Sequence, residues 1–372
     1  MLYSAPAQPD VGSEMSARLK NQQPRIDIHS HVIPPAILGK AGPHGPDILF
    51  DGDGVMIMRA GDYRLRGETL AGNKEAERIG RKAQQEKMVF AMGDPHTRLA
   101  ELDAKDIDVM GVTIPPLFYF YGIERDHAIA FCTAANDALA DYCAVAPKRF
   151  FFMPSLPLQD VDASISEVRR SVQRGARGVN MGGRKLAGKE LYSEEMWPLY
   201  SVLEELGLPL FIHPYPMEIG DAKAKDRYTS LLLDYPFECT RAVNNLILGG
   251  VFDDFPNLKV YVSHGGGFIP YQFGRIETFG SVISGVRCKK PPRAYLKNFY
   301  FDTLIHELNA RKYLVDWMGS DNLVVGDNYG GMDSVDGFAS VDEMKLDPLA
   351  ADKIKGLNAK ALFNLGGLFE DR

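Results

Sequence analysis

Short apolar runs, each ending in glycine, proline or a polar residue, recur along the chain with helix-spaced segments between them. Eight stand out: 25–31 (RIDIHSH), 108–116 (DVMGVTIPP), 150–157 (FFFMPSLP), 176–183 (ARGVNMGG), 209–216 (PLFIHPYP), 259–267 (KVYVSHGGG), 298–305 (NFYFDTLI) and 322–330 (NLVVGDNYG). Apolar residues at three- and four-residue spacing fill 127–145, 161–172 and 194–206, the pattern of helices with one buried face. Nearly continuous apolar strands alternating with such helices predict a parallel sheet covered on both sides. Eight units predict an α/β fold closed into a TIM-like (β/α)8 barrel rather than an open sheet.

The rhythm breaks between about residues 35 and 100. That stretch opens with PPAILGKAGPHGPD, continues as a predicted hairpin around DGDGVMIMRAGDYRLRG and ends in a charged helix near NKEAERIGRKAQQEK. It reads as a long insertion after the first strand, placed over the barrel mouth, where β-to-α loops build active sites. Residues 1–24 form a polar, proline-broken tail, and 25–372 are expected to be one barrel domain.

Composition changes this picture little. With 45% hydrophobic and 24% charged residues the chain is ordinary for a globular protein. Forty-two Lys and Arg against 49 Asp and Glu give a net charge of −7, which argues against a general nucleic-acid binder. Four scattered cysteines (Cys132, Cys143, Cys239, Cys288) form no C-x-x-C and no dense framework, as expected of a reduced cytoplasmic protein. The N-terminus lacks the apolar core of a signal peptide, and no 18-residue apolar stretch exists.

Candidate chemistry gathers at the strand ends. His29 and His31 are two apart on a strand, so both imidazoles project from one face about 7 Å apart along the backbone. A lone H-x-H is weak, but His213, His264 and Asp327 also stand where apolar strands end. A carboxylate in such surroundings needs a cation or hydrogen bonds to offset its burial. Three imidazoles and a carboxylate, with water in the open position, suit a catalytic zinc site made of His29, His31, His213 and Asp327. His264, before a Gly-Gly-Gly run that lets backbone approach a ligand, is expected to serve as general acid and base. His306 follows the seventh run and can line the pocket. Phe118, Tyr119, Phe120 and Tyr121 follow the second and can wall a planar substrate.

The segments RIDIHSHVIPP, FIHPYP, NNLILGGVFDDFPNLKVYVSHGGGFIPYQFGRI and VVGDNYG resemble the amidohydrolase-related decarboxylases, from about residue 25 to the C-terminus except part of the insertion. The resemblance implies that His29, His31, His213 and Asp327 hold one Zn2+ per chain, with Mn2+ or another divalent ion as the alternative. It makes His264 the catalytic histidine, with Asp327 also accepting a proton. It implies two arginines that grip substrate carboxylates: Arg64, with Arg59 or Arg66 as alternatives, and Arg275, reaching the other site of a homodimer. Tyr215 stands where the family has tryptophan, Asn328–Gly331 replace a proline-containing run, and GDPHTR (93–98) departs from a tryptophan-bearing segment. These departures imply a different substrate. The fourth run offers no lysine to bridge two metals, which favours one ion.

The expected reaction is metal-dependent decarboxylation of an unsaturated or aromatic carboxylic acid. Hydrolysis of an amide, lactone or activated carbonyl by the same site is the alternative. A barrel that only binds or assembles is expected to lack at least one of the five mouth residues, and all are present.

Overall fold

The computed structural model describes residues 23–66, 79–215, 230–280, 282–331 and 333–370. Eight parallel strands lie in two sheets. One runs β1 (Ile26–His31), β5 (Val109–Thr113), β6 (Phe150–Phe152). The other contains β7 (Val179–Met181), β8 (Leu210–Ile212), β9 (Val260–Val262), β10 (Phe299–Asp302) and β11 (Leu323–Val324), each beside the next. Parallel bridges Ser155–Asn180 and Asp27–Val325 join the sheets at both seams. This is the (β/α)8 arrangement that the eight runs predict.

Two apolar clusters explain the burial. Ile26, Ile28, Phe151, Phe211, Tyr261 and Val324 form an inner cluster with Phe363 and Leu365 near the C-terminus. The larger cluster joins strand residues such as Val112, Ile212 and Val262 to the helices, among them Phe131, Leu139, Leu199 and Val243. Helices Arg125–Ala144, Val161–Gln173 and Trp197–Leu206 match the helix-spaced segments. Among the described residues no helix is long and apolar enough to cross a membrane.

Between β1 and β5 the chain forms a three-stranded antiparallel sheet of β2 (Asp47–Phe50), β3 (Met56–Ala60) and β4 (Tyr63–Arg66). The expected hairpin is β3–β4, with Ala60 paired to Tyr63; β2 is an additional strand paired with β3. Tyr63 and Leu65 turn towards the core, whereas Arg64, on the other face, is exposed. The charged helix is described from Arg81 to Gly93, and its expected beginning at 73–78 lies outside the described residues. Asp94 then starts helix Pro95–Ala104: its carboxylate accepts the Thr97 N–H at 2.8 Å and Pro95 needs no partner for a missing N–H. GDPHTR is therefore a helix start, and its Arg98 is buried, donating to the His31 carbonyl at 3.2 Å and lying 3.5 Å over the Tyr329 ring.

Candidate metal centre and active site

β1 does not keep a single alternation. Its pairing with β5 shifts register between Asp27 and Ser30. Ile26 and Ile28 therefore belong to the inner cluster, while His29 still packs edge-on against Phe211 at 5.5 Å and His213 at 4.9 Å. His31 lies 5.4 Å from His29 and 5.0 Å from His213 between ring centroids. One ligand atom from each of the three lies within 4.8 Å of the others, and all three residues are buried.

Every Nδ1 in this trio is held from behind. His29 Nδ1 meets Asp302 Oδ2 at 3.0 Å, His31 Nδ1 meets Thr113 Oγ1 at 3.0 Å, and His213 Nδ1 donates to the Pro214 carbonyl at 2.6 Å. With the proton on Nδ1, the Nε2 lone pairs are left to bind. Nε2 of His29 and of His213 are buried without a hydrogen-bond partner, a costly state that a cation relieves. Burial, then the neighbouring histidines, holds His31 and His213 well below the usual imidazole pKa. Neutral imidazole is the ligating form.

Asp302, at the end of β10, is a site residue that sequence reading did not single out, although FYFD ends an apolar run as the other site residues do. Its carboxylate accepts from Tyr261 Oη at 2.8 Å and Gly265 N at 2.9 Å besides facing His29. Burial opposes its charge, but the hydrogen bond from His29, helped by that from Gly265 N, prevails and lowers its pKa. It fixes the His29 ring and tautomer together.

His264 packs edge-on against two of the trio, 5.5 Å from His29 and 5.4 Å from His213. It has φ 55°, and Gly265, Gly266 and Gly267 continue at 60°, 73° and 67°. Such a left-handed run suits glycine, and a Cβ on Gly267 would lie 2.0 Å from the Pro236 carbonyl oxygen. Its Nδ1 contacts Ser263 Oγ at 2.8 Å. Burial, then His29, brings its pKa to about 4. Asp333 Oδ2 lies 4.0 Å from His264 Nε2 and 3.7 Å from Nε2 of the exposed His306. Asn328, also left-handed, donates from Nδ2 to Asp333.

Asp327 and His29 share a backbone partner: the N–H of each donates to Asp27 Oδ1, at 3.1 Å and 3.0 Å. Asp327 Oδ1 accepts the Gly337 N–H at 2.8 Å, whereas Oδ2 is buried without a hydrogen-bond partner, as Nε2 of His29 and His213 are, with Lys105 Nζ at 3.9 Å. Burial raises its pKa to about 6 against the Gly337 hydrogen bond and Lys105. Asp333, whose carboxylate lies beside His264, is a loop residue with no apolar run before it to mark it.

A profile of the amidohydrolase family, described simply as amidohydrolase, matches residues 26–365. The chain belongs to that family. It is 33% identical over 244 residues to a 2-amino-3-carboxymuconate-6-semialdehyde decarboxylase of Dictyostelium discoideum, covering 63% of this chain and 66% of the relative, just under two thirds of its length. The enzyme of that name from Caenorhabditis elegans is 25% identical over 372 residues, covering 85% and 87% respectively. The crystal structure of 5-carboxyvanillate decarboxylase from Novosphingobium aromaticivorans, complexed with manganese and 4-hydroxy-3-methoxy-5-nitrobenzoic acid, superimposes with a TM-score of 0.73 at 21% identity. It covers 93% of this chain and 97% of that one and supports the barrel fold.

Within this amidohydrolase the remaining expected residues fall in different places. Tyr215 lies 5.1 Å from Tyr121 and 6.1 Å from Tyr119 between rings, with Arg184 4.0 Å over its face. Tyr235, not singled out from sequence, lies 6.3 Å from both His213 and His264. Phe118 and Phe120 are core residues. Arg59 is engaged by Asp47, Arg64 is exposed, and the Arg66 side chain lies outside the described residues. Arg275 is exposed on helix Ile269–Gly280, 4.8 Å from the Phe279 ring centroid. Cys239 approaches His264 Nδ1 at 3.9 Å, but burial pushes its thiol well above the usual range, so it is no nucleophile. A cleft of about 240 Å3 lined by Gly207, Asn257, Lys259 and Tyr300 gathers none of the histidines.

Proposed function

We propose that the chain is a metal-dependent decarboxylase that releases carbon dioxide from an unsaturated or aromatic carboxylic acid, with His29, His31, His213 and Asp327 as the ligand set. The observation that carries this reading is the buried trio with Nε2 of His29 and His213 unpartnered beside His264. The decarboxylase names of the two relatives support the choice of reaction. Three imidazoles suit zinc, and manganese is the ion named for the 5-carboxyvanillate decarboxylase. A divalent ion held there would polarise substrate oxygen atoms as a Lewis acid.

The chain's own groups supply the rest. Tyr235 borders His213 and His264, and Tyr119, Tyr121 and Tyr215 pack against one another, offering flat faces for a planar acid. His264 Nε2, where Asp333 favours the protonated ring against burial, delivers a proton to the carbon that loses its carboxylate, so that one C–C bond breaks as one C–H bond forms. Asp327, with Oδ1 held by Gly337 and its buried Oδ2 unpartnered, is the fourth ligand and a proton acceptor. The four cysteines are free and three are buried, which fits a reducing cytoplasm.

The test is carbon dioxide release from a panel of unsaturated and aromatic acids by metal-loaded protein, with metal counted in parallel. At least one acid is expected to turn over, with loss of turnover in His264→Ala and loss of about one ion per chain in His213→Ala. A silent acid panel together with turnover of amides or lactones would replace this reading with hydrolysis.

A further inference from the structure

A second set of metal-ligating side chains lies outside the trio, where the excursion after β1 meets the helix that follows β5. His44 ends the turn Gly42–His44. Glu124 precedes helix Arg125–Ala144 as its N-cap, and His127 lies in the first turn. N-cap and third helical position face the same side. The Glu124 carboxylate makes no capping bond to the helix, so it remains available to the two histidines. One ligand atom from each of His44, Glu124 and His127 lies within 4.8 Å of the others.

Ordinary surface chemistry accounts for part of this. His44 Nε2 and Glu124 Oε2 are 2.7 Å apart, an exposed pair of the kind that contributes little on its own. It does not account for the third member. The His127 ring meets His44 at 5.4 Å and 72°, and among the described residues no hydrogen bond anchors it. The approach is also built into the backbone. Gly42 has φ 59°, and a Cβ there would lie 2.8 Å from His127 Cε1, so the turn lies directly on the ring. Hydrogen bonds from His44 N to the Ala41 carbonyl at 3.2 Å and from Gly61 N to the His44 carbonyl at 2.7 Å fix the turn on both sides. Three donors on two separate segments are thus pre-positioned, which lowers the ordering cost of binding.

We propose that His44, Glu124 and His127 bind a second divalent transition-metal ion, zinc by the preference of two imidazoles and one carboxylate, with solvent in the open position. The ion ties the excursion to the barrel helix and acts as a clip across the roughly eighty residues between the two segments. It takes no part in decarboxylation and does not depend on that reading.

Zinc uptake by the full-length protein, stripped with chelator and titrated calorimetrically with zinc chloride, tests the site. His213→Ala, which disables the inner trio, is expected to retain about one zinc per chain. Adding His44→Ala and His127→Ala to it is expected to abolish that uptake. In the otherwise wild-type protein the same pair is expected to remove one zinc per chain and to shrink the rise in Tm that zinc produces, with the far-ultraviolet spectrum unchanged. Glu124→Gln, which keeps the shape and loses the charge, is expected to weaken uptake without abolishing it. Equal zinc uptake with and without His44 and His127 overturns the proposal, whichever background folds better.

Discussion

Two aspartates at strand ends look alike in sequence and differ in what they touch. Asp302 reaches His29 Nδ1 at 3.0 Å and also takes Tyr261 and Gly265, so it sets the direction of a ligand lone pair. Asp327 spends Oδ1 on Gly337 and turns Oδ2 to Lys105. Loss of a carboxylate behind a ligating histidine typically weakens metal binding about 10–100-fold. Asp302→Asn is therefore expected to weaken binding on that order, measured by competition with a chelating dye. Asp327→Asn, which removes the charge of the fourth ligand, is expected to weaken binding as well. Wild-type affinity in that variant would remove Asp327 from the ion's shell.

At the scale of elements, Glu238 joins helix Tyr235–Leu248 to the turn after β7. It accepts the Gly183 N–H at 2.8 Å and pairs with Arg184 Nε at 3.0 Å. Burial nevertheless outweighs Arg184 and the backbone hydrogen bonds and lifts its pKa from 4.5 to about 7. Between those values the native state keeps a proton that the unfolded chain releases. Its contribution to stability is full below about pH 4.5 and is lost as pH rises through 7. The interval corresponds to about 3 kcal/mol as an upper bound. Urea unfolding at the two ends of that interval should therefore show wild type losing more stability than Glu238→Gln as pH rises; parallel losses would remove Glu238 as the cause. None of this was legible in GVNMGGR or YPFECTR, because the pairing joins residues 55 apart in sequence. What was legible follows from burial on both faces: eight apolar runs became eight strands, and four strand-end histidines came together. What was not legible depends on backbone events that periodicity misses. The register shift in β1 turns His29 inward directly after Ile28, β2 carries too short a pattern to separate from a loop, and the left-handed turn at Asn328 brings Asp333 to His264.

The whole molecule leaves an apolar area uncovered around one arginine. Phe268, Tyr271, Phe279, Val282 and Ile283 are exposed on and beside the helix that carries Arg275, Tyr271 at 81% and Val282 at 74%. Large apolar side chains gathered on one exposed segment mark a surface for association. A twofold homodimer would bury the same area on both subunits and would give Arg275, which lies over the Phe279 ring of its own chain, a partner across the interface. We propose that it does so, and that Arg275 serves the partner subunit's site as a carboxylate grip. Sedimentation is expected to give a dimer, and Val282→Asp a monomer. The finer claim is tested by mixing. Arg275→Ala and His264→Ala are each expected to be inactive as pure dimers. After subunit exchange about half the dimers are mixed, and one of their two sites has both His264 and the arginine from across the interface, so about a quarter of wild-type activity should return. If Arg275 served its own chain's site, no mixed dimer would contain an intact site and the mixture would stay silent.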